Sequence, residues 1–112
     1  SMGCLLVAHW AKRSSLPVRA AFLVAVPDPA GPMFPPAAQG FQPVPSEKLR
    51  FPSLVVTSSN DPFGSVAYAR GCAADWGSDF VEVGAVGHIN ADSGLGDWPA
   101  GLVLFDGVLK SL

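Results

Sequence analysis

Apolar residues recur at helical spacing in three stretches of the chain. The first runs from Gly3 to Lys12 and ends in cations, which favour the negative end of a helix dipole. The second follows Ser65, a common helix-capping residue, and ends at Gly77. In the third, Asp97 is the expected cap and Pro99 lies in the first turn, and one face carries Leu102, Phe105, Leu109 and Leu112. We therefore predict three helices.

Three shorter apolar runs lie between these helices. The run Val18–Val26 is interrupted only by Arg19, as in a strand covered on both faces. Ser53–Ser58 is rich in β-branched residues, and Phe80–Val83 is the third run. Strands that alternate with helices predict an α/β fold with a parallel sheet, right-handed crossovers and helices on both faces. Ligand sites of such sheets lie at the carboxyl ends of the strands.

The segment Pro27–Pro45 separates the first two predicted strands and holds seven of the eleven prolines. Neither a regular helix nor a central strand is compatible with that density of proline. The segment is therefore expected to be an ordered surface loop. The alternative is a lid or pocket wall over a site, which the apolar side chains of Met33, Phe34 and Phe41 favour.

Composition narrows the classes of function. The 112 residues suffice for one small domain, and 49% of them are hydrophobic while only 14% are charged. Such a chain exposes apolar surface to another part of the same fold or to a partner. The net charge of -2 provides no positive field for nucleic acid or anionic lipid. We expect neither a nucleic-acid partner nor a membrane partner.

The two cysteines, Cys4 and Cys72, lie within helical patterns and have no metal-ligand spacing. Free cysteines in such positions are usually small buried hydrophobic residues, and a disulfide or a redox role is the alternative. A reducing, cytoplasmic location is the default expectation.

Residue types suited to catalysis follow the second and third predicted strands. Asp61 follows the second strand, and His88 follows the third, after Gly87. We expect both at the same edge of the sheet. A carboxylate there can fix the tautomer of an imidazole that takes a proton from a serine hydroxyl. With Ser1 ahead of the first helix, the chain order Ser, Asp, His is that of α/β-hydrolases.

Three blocks carry these residues: Ser1-Met2-Gly3-Cys4-Leu5, Ser59-Asn60-Asp61-Pro62-Phe63 and Gly87-His88-Ile89-Asn90. Together they resemble the small serine hydrolases related to retinoblastoma-binding protein nine, a branch of the α/β-hydrolase superfamily. The resemblance implies a three-layer α/β/α fold, esterase-like hydrolysis of acyl esters or amides, and no metal or organic cofactor. It also implies that Ser1 is the nucleophile, Asp61 the acid, His88 the base, and the backbone N–H of Met2 an oxyanion donor.

Members of that family are longer, and an elbow strand and a second oxyanion donor precede their serine. We therefore expect residues 1–112 to form the carboxyl-terminal portion of a single α/β-hydrolase domain, a partial fold with a short parallel sheet. Loss of one oxyanion donor costs on the order of 3 kcal/mol in the transition state, so the isolated chain should be nearly inactive. The expected partners are a small ester or acyl substrate, and either a missing amino-terminal half or a second copy of the chain.

Several alternatives stay open. Ser1 before Met2 also fits a remnant of cloning ahead of a start codon, or an N-terminal nucleophile activated by its own amine. Asp28 follows the first predicted strand and is the second candidate for the acid, whereas His9 is expected to be a packed helical histidine. For the whole chain, the alternative is a noncatalytic α/β interaction module that self-associates through an exposed sheet edge.

Overall fold

The computed structural model describes residues 1–112 and contains three α-helices, a short 3-10 helix (Ala91–Ser93) and a three-stranded parallel sheet. The helices are α1 (Met2–Arg13), α2 (Val66–Trp76) and α3 (Pro99–Lys110), and the strands are β1 (Ala21–Val24), β2 (Ser53–Thr57) and β3 (Asp79–Glu82). The sheet order is β1-β2-β3, and both pairings are parallel. The predicted α/β fold with a short parallel sheet is confirmed.

The two faces of the sheet are covered by different helices. Leu23, Val55 and Phe80 are in register across the three strands, and they pack into a buried cluster with residues of α1 and α2. Phe22 instead contacts α3, with its ring centroid 5.7 Å from that of Phe105. Successive side chains of a strand point to opposite faces, so α3 lies on the face opposite to α1 and α2. The architecture is the predicted three-layer α/β/α arrangement.

The first strand is shorter than its apolar pattern predicts. Pairing begins where the N–H of Ala21 donates to the carbonyl oxygen of Pro52 at 2.9 Å, because β2 starts directly after that proline. It ends at Ala25, which has a left-handed backbone with a φ of 59°. The start of β2 therefore fixes where β1 begins, and the left-handed backbone of Ala25 fixes where it ends, rather than the length of the apolar run.

The prediction of Asp97 as the cap of α3 is wrong. The helix is preceded by Trp98, which has a φ of 50° and forms no side-chain capping bond. The indole of Trp98 lies directly over Gly101, where any Cβ would overlap the ring, and its centroid is 6.4 Å from that of Phe22. Aromatic packing therefore stabilises a backbone conformation that sequence rules assign to glycine or asparagine.

The predicted apolar face of α3 is only partly covered. Phe105 contacts Phe22 of the sheet yet remains 41% exposed, and Leu102 is 58% exposed. None of the helices is both long enough and apolar enough to cross a membrane.

Helix α2 has the predicted ends. Ser65 Oγ accepts a hydrogen bond from the N–H of Tyr68 at 3.0 Å, and Gly77 ends the helix with a φ of 68°. Trp76, in the last turn, is 1% exposed, and its indole N–H donates to the carbonyl oxygen of Pro45 at 2.8 Å. This bond ties the proline-rich segment to the core.

The proline-rich segment contains turns but no helix or strand. Phe34 and Phe41 pack against the core cluster, and His9 Nε2 lies 2.9 Å from the carbonyl oxygen of Phe41. Met33 is 52% exposed. The two phenylalanines that favoured a lid are therefore used to anchor the segment to the core.

Both cysteines are free and buried, as predicted. Burial raises the pKa of the Cys4 thiol and of the Cys72 thiol, because it disfavours the charged thiolate. Cys4 Sγ donates a hydrogen bond to the carbonyl oxygen of Val24 at 3.3 Å. The Cys4 thiol, in the amino-terminal turn of α1, is therefore a packing group with little thiolate at neutral pH.

Gly64 lies where the turn after β2 passes the end of β1, so closely that a Cβ would overlap the carbonyl oxygen of Val26. Gly64→Ala should therefore lower the free energy of unfolding by about 1–3 kcal/mol. The matched control is Gly71 of α2, whose Cβ would meet nothing within 4 Å. Gly71→Ala should raise the free energy of unfolding by about 0.5–1 kcal/mol, because alanine suits a helix interior. Urea unfolding measures both changes, and equal stability of the two variants would contradict the close approach.

Candidate active site

Three separate elements deliver Ser1, Asp61 and His88 to one place. Asp61 follows the carboxyl end of β2, and His88 follows the carboxyl end of the neighbouring strand β3. Ser1 precedes α1, and its backbone nitrogen donates to the carbonyl oxygen of Val24, at the end of β1, at 2.6 Å. The carboxyl edge of the sheet thus gathers a hydroxyl, an imidazole and a carboxylate that lie far apart in sequence.

The side chains form a continuous hydrogen-bonded path. Ser1 Oγ lies 2.9 Å from His88 Nε2. On the other side of the ring, His88 Nδ1 lies 2.8 Å from Asp61 Oδ2 and 3.0 Å from Asp61 Oδ1. An ionised carboxylate only accepts hydrogen bonds, so Nδ1 carries the proton in this arrangement. Nε2 is then the acceptor for the serine hydroxyl.

The carboxylate of Asp61 is held in a buried turn. Its side chain is 1% exposed, and Oδ1 also accepts the N–H of Phe63 at 2.9 Å. Asp61 is therefore both a turn residue ahead of Pro62 and the partner of His88. The ring of Phe63 packs against the imidazole with centroids 4.6 Å apart. Because the His88 side chain is itself only 12% exposed, its bond to the carboxylate is largely shielded from water.

The loop that carries His88 is fixed by two side chains that sequence reasoning missed. Gly87 has a φ of 66°, a conformation that glycine adopts without strain, and its N–H donates to Asn60 Oδ1 at 2.8 Å. The N–H of Val86 donates to Ser58 Oγ at 2.9 Å. The only sequence signal for these roles was polar residues at the end of a strand, which a simple turn would also explain.

An open cleft of about 400 Å³ lies beside the imidazole. Its wall combines the ring of Phe63 with the backbone before His88 and with polar residues after it, including Asn90 and Asp92. A cleft of this size can admit a small organic molecule.

The N–H of Met2 has no acceptor within the protein. It lies in the first turn of α1, at the positive end of the helix dipole and directly after Ser1. No group of three or more His, Cys, Asp and Glu side chains is arranged to hold a metal ion.

The other two titratable candidates lie in structural contacts. Asp28 Oδ1 accepts the N–H of Ala30 at 2.9 Å, which closes a local turn, and no hydrogen bond joins Asp28 to His88. His9 packs edge-on against Phe41 in the proline-rich segment. Of the two acids considered from sequence, Asp61 is the one that contacts the imidazole.

Comparison with known proteins gives the family. The serine hydrolase family matches residues 1–107. Among solved structures, a YdeN-like hydrolase from Pectobacterium atrosepticum is 32% identical, with a TM-score of 0.76 over 91% of this chain and 52% of that chain. The chain therefore spans about half the length of that hydrolase. A comparison with curated proteins finds no match. The family match extends from Ser1 into the last helix, and the chain belongs to the serine hydrolase family.

Proposed function

We propose that Ser1, His88 and Asp61 are the catalytic triad of this serine hydrolase. The observation that carries the proposal is the path from Ser1 Oγ through both ring nitrogens of His88 to the Asp61 carboxylate. Each contact has hydrogen-bond length, and the tautomer that Asp61 selects is the one in which Nε2 can accept a proton. The hydrogen bond from the backbone nitrogen of Ser1 to Val24 favours the imidazole over the amine as the base.

The proposed substrates are small acyl esters or amides. Ser1 Oγ attacks the acyl carbon while its proton passes to His88 Nε2, and the Asp61 carboxylate stabilises the resulting imidazolium. The imidazolium then protonates the leaving alcohol or amine as the acyl–oxygen or acyl–nitrogen bond breaks. A water molecule gives a proton to Nε2 and attacks the acyl-serine. The imidazolium then returns that proton to Ser1 Oγ as the bond between Oγ and the acyl carbon breaks, which releases the acid and regenerates the hydroxyl.

The backbone N–H of Met2 is the proposed oxyanion donor. It is unpaired within the protein and belongs to the residue after the nucleophile, where α/β-hydrolases place one of their two donors. A second donor is needed for full transition-state stabilisation. We assign it to a part of the domain outside residues 1–112, in keeping with a structural match that covers 52% of the related hydrolase.

In this proposal, residues 1–112 are the carboxyl-terminal portion of a single α/β-hydrolase domain and have little activity by themselves. The placement in the branch related to retinoblastoma-binding protein nine, the esterase-like specificity and the cytoplasmic location stay predictions.

A serine-directed fluorophosphonate should label Ser1 in the full-length protein. His88→Ala should reduce the labelling rate by at least about 10²-fold, because the hydroxyl then has no base to take its proton. Peptide mass spectrometry locates the adduct, and intact mass gives the rate. Labelling of the His88→Ala protein at the unchanged rate would contradict the role of His88.

The two acids provide a matched pair of variants for a turnover assay of the full-length protein on a small ester. Asp61→Asn should lower turnover on the order of 10⁴-fold while the protein stays folded, because an amide neither selects the required tautomer nor stabilises the imidazolium. Asp28→Asn keeps an oxygen that can accept the N–H of Ala30 in the local turn and removes only the charge, so turnover should stay within about twofold. If the two results were exchanged, Asp28 would be the acid.

A second candidate function is self-association, which the exposed apolar surface favours. Strand β1 pairs only with β2, and five of the exposed large apolar residues belong to α3 or its end: Leu102, Val103, Phe105, Leu109 and Leu112. A strand with one unpaired edge beside apolar surface can bind another chain.

Light scattering of the 112-residue chain over a dilution series should therefore detect a dimer or a larger species. A monomer at micromolar concentration with a cooperative thermal transition would contradict this candidate and would leave the catalytic proposal untouched.

A further inference from the structure

The pairing of β2 with β3 continues past the ends of both strands. The N–H of Val83 donates to the carbonyl oxygen of Thr57, and the N–H of Ser59 donates to the carbonyl oxygen of Gly84, both at 2.9 Å. Beyond this point the two backbones no longer pair with each other. The remaining hydrogen bonds between the two loops use side chains from the loop that contains Asp61.

Two side chains supply the acceptors that the backbone no longer provides. Ser58 Oγ accepts from the N–H of Val86 at 2.9 Å, and Asn60 Oδ1 accepts from the N–H of Gly87 at 2.8 Å. The hydroxyl of Ser58 also donates to Asn60 Oδ1 at 2.9 Å, which links the two acceptors. The next contact in sequence is the one between His88 and Asp61.

We propose that Ser58 and Asn60 are positioning residues that hold the His88 loop in register with Asp61. This inference rests on the proposed function, because it concerns the geometry of the proposed base. The loop needs such support, since Gly87 has no side chain of its own to restrict its backbone. Ser58 is fully buried, whereas Asn60 is exposed and is oriented by its two donors.

The two bonds act on the residues directly before His88, so their loss changes the position of the imidazole more than the stability of the sheet. A displacement of about 1 Å of a catalytic group can cost 10²-fold in rate. Neither residue forms a hydrogen bond with Ser1 or with the ring of His88, and their effect is exerted through the backbone of Val86 and Gly87.

The test uses Ser58→Ala and Asn60→Ala in the full-length protein, with Ser59→Ala as the matched control. Ser59 is exposed and lies between the two residues, and its side chain forms no hydrogen bond. The first two variants should lower kcat about 10- to 100-fold with KM within about twofold, and Ser59→Ala should change neither. Asn60→Asp keeps an acceptor for Gly87, so its maximal rate should recover to within about fivefold of the parent.

Proton NMR provides a readout that does not depend on activity. The Nδ1–H of His88 should give a low-field resonance in the parent and in Ser59→Ala, and exchange with water should broaden it in Ser58→Ala and Asn60→Ala. A resonance that stays equally sharp in all four proteins would overturn the positioning role. If the resonance responds as expected while Ser1 is never labelled in the parent, the positioning role stands and the proposed chemistry fails. Thermal unfolding checks that each variant is folded. If an alanine variant does not fold, Asn60→Asp still tests the role of Asn60.

Discussion

The hydrogen-bonded pair of His88 and Asp61 is the contact on which the rest of the site depends. It bridges the loops that leave two adjacent parallel strands, so its geometry is set by the register of β2 against β3. The pair is mostly buried and fixes both the tautomer and the orientation of the ring. Only with that orientation does Nε2 face Ser1, which α1 presents from a third element.

Placement at the carboxyl edge of a parallel sheet explains why so much of this site could be predicted. Asp61 and His88 each follow a short apolar run, and parallel topology brings the ends of neighbouring strands together whatever the sequence separation. Helix α2 was equally predictable, because Ser65 and Gly77 determine its ends through local backbone chemistry. The ends of these elements depend on only a few neighbouring residues, and the parallel topology then determines which ends lie side by side.

The features that could not be predicted depend on contacts between distant segments. The short β1 is limited by the start of its partner strand at Ser53, which no pattern within residues 18–26 reveals. Trp98 replaces Asp97 at the start of α3 because its indole packs over Gly101 and near Phe22. The roles of Ser58 and Asn60 likewise depend on bonds to backbone groups 27 or 28 residues away. A polar residue at a strand end does not indicate which distant amide it will bind.

If Ser1, His88 and Asp61 act as one unit, a double-mutant cycle on kcat will reveal it. Full-length protein with Ser1→Ala, with His88→Ala, and with both substitutions would be assayed on one small ester whose hydrolysis by the parent is measurable. Each single variant should lose on the order of 10⁴-fold or more in kcat. Substitutions of residues that act as a unit have strongly non-additive effects, so the kcat of the double variant should lie within about threefold of that of either single variant. Multiplication of the two single losses in the double variant would show that the hydroxyl and the imidazole act independently and would contradict the account.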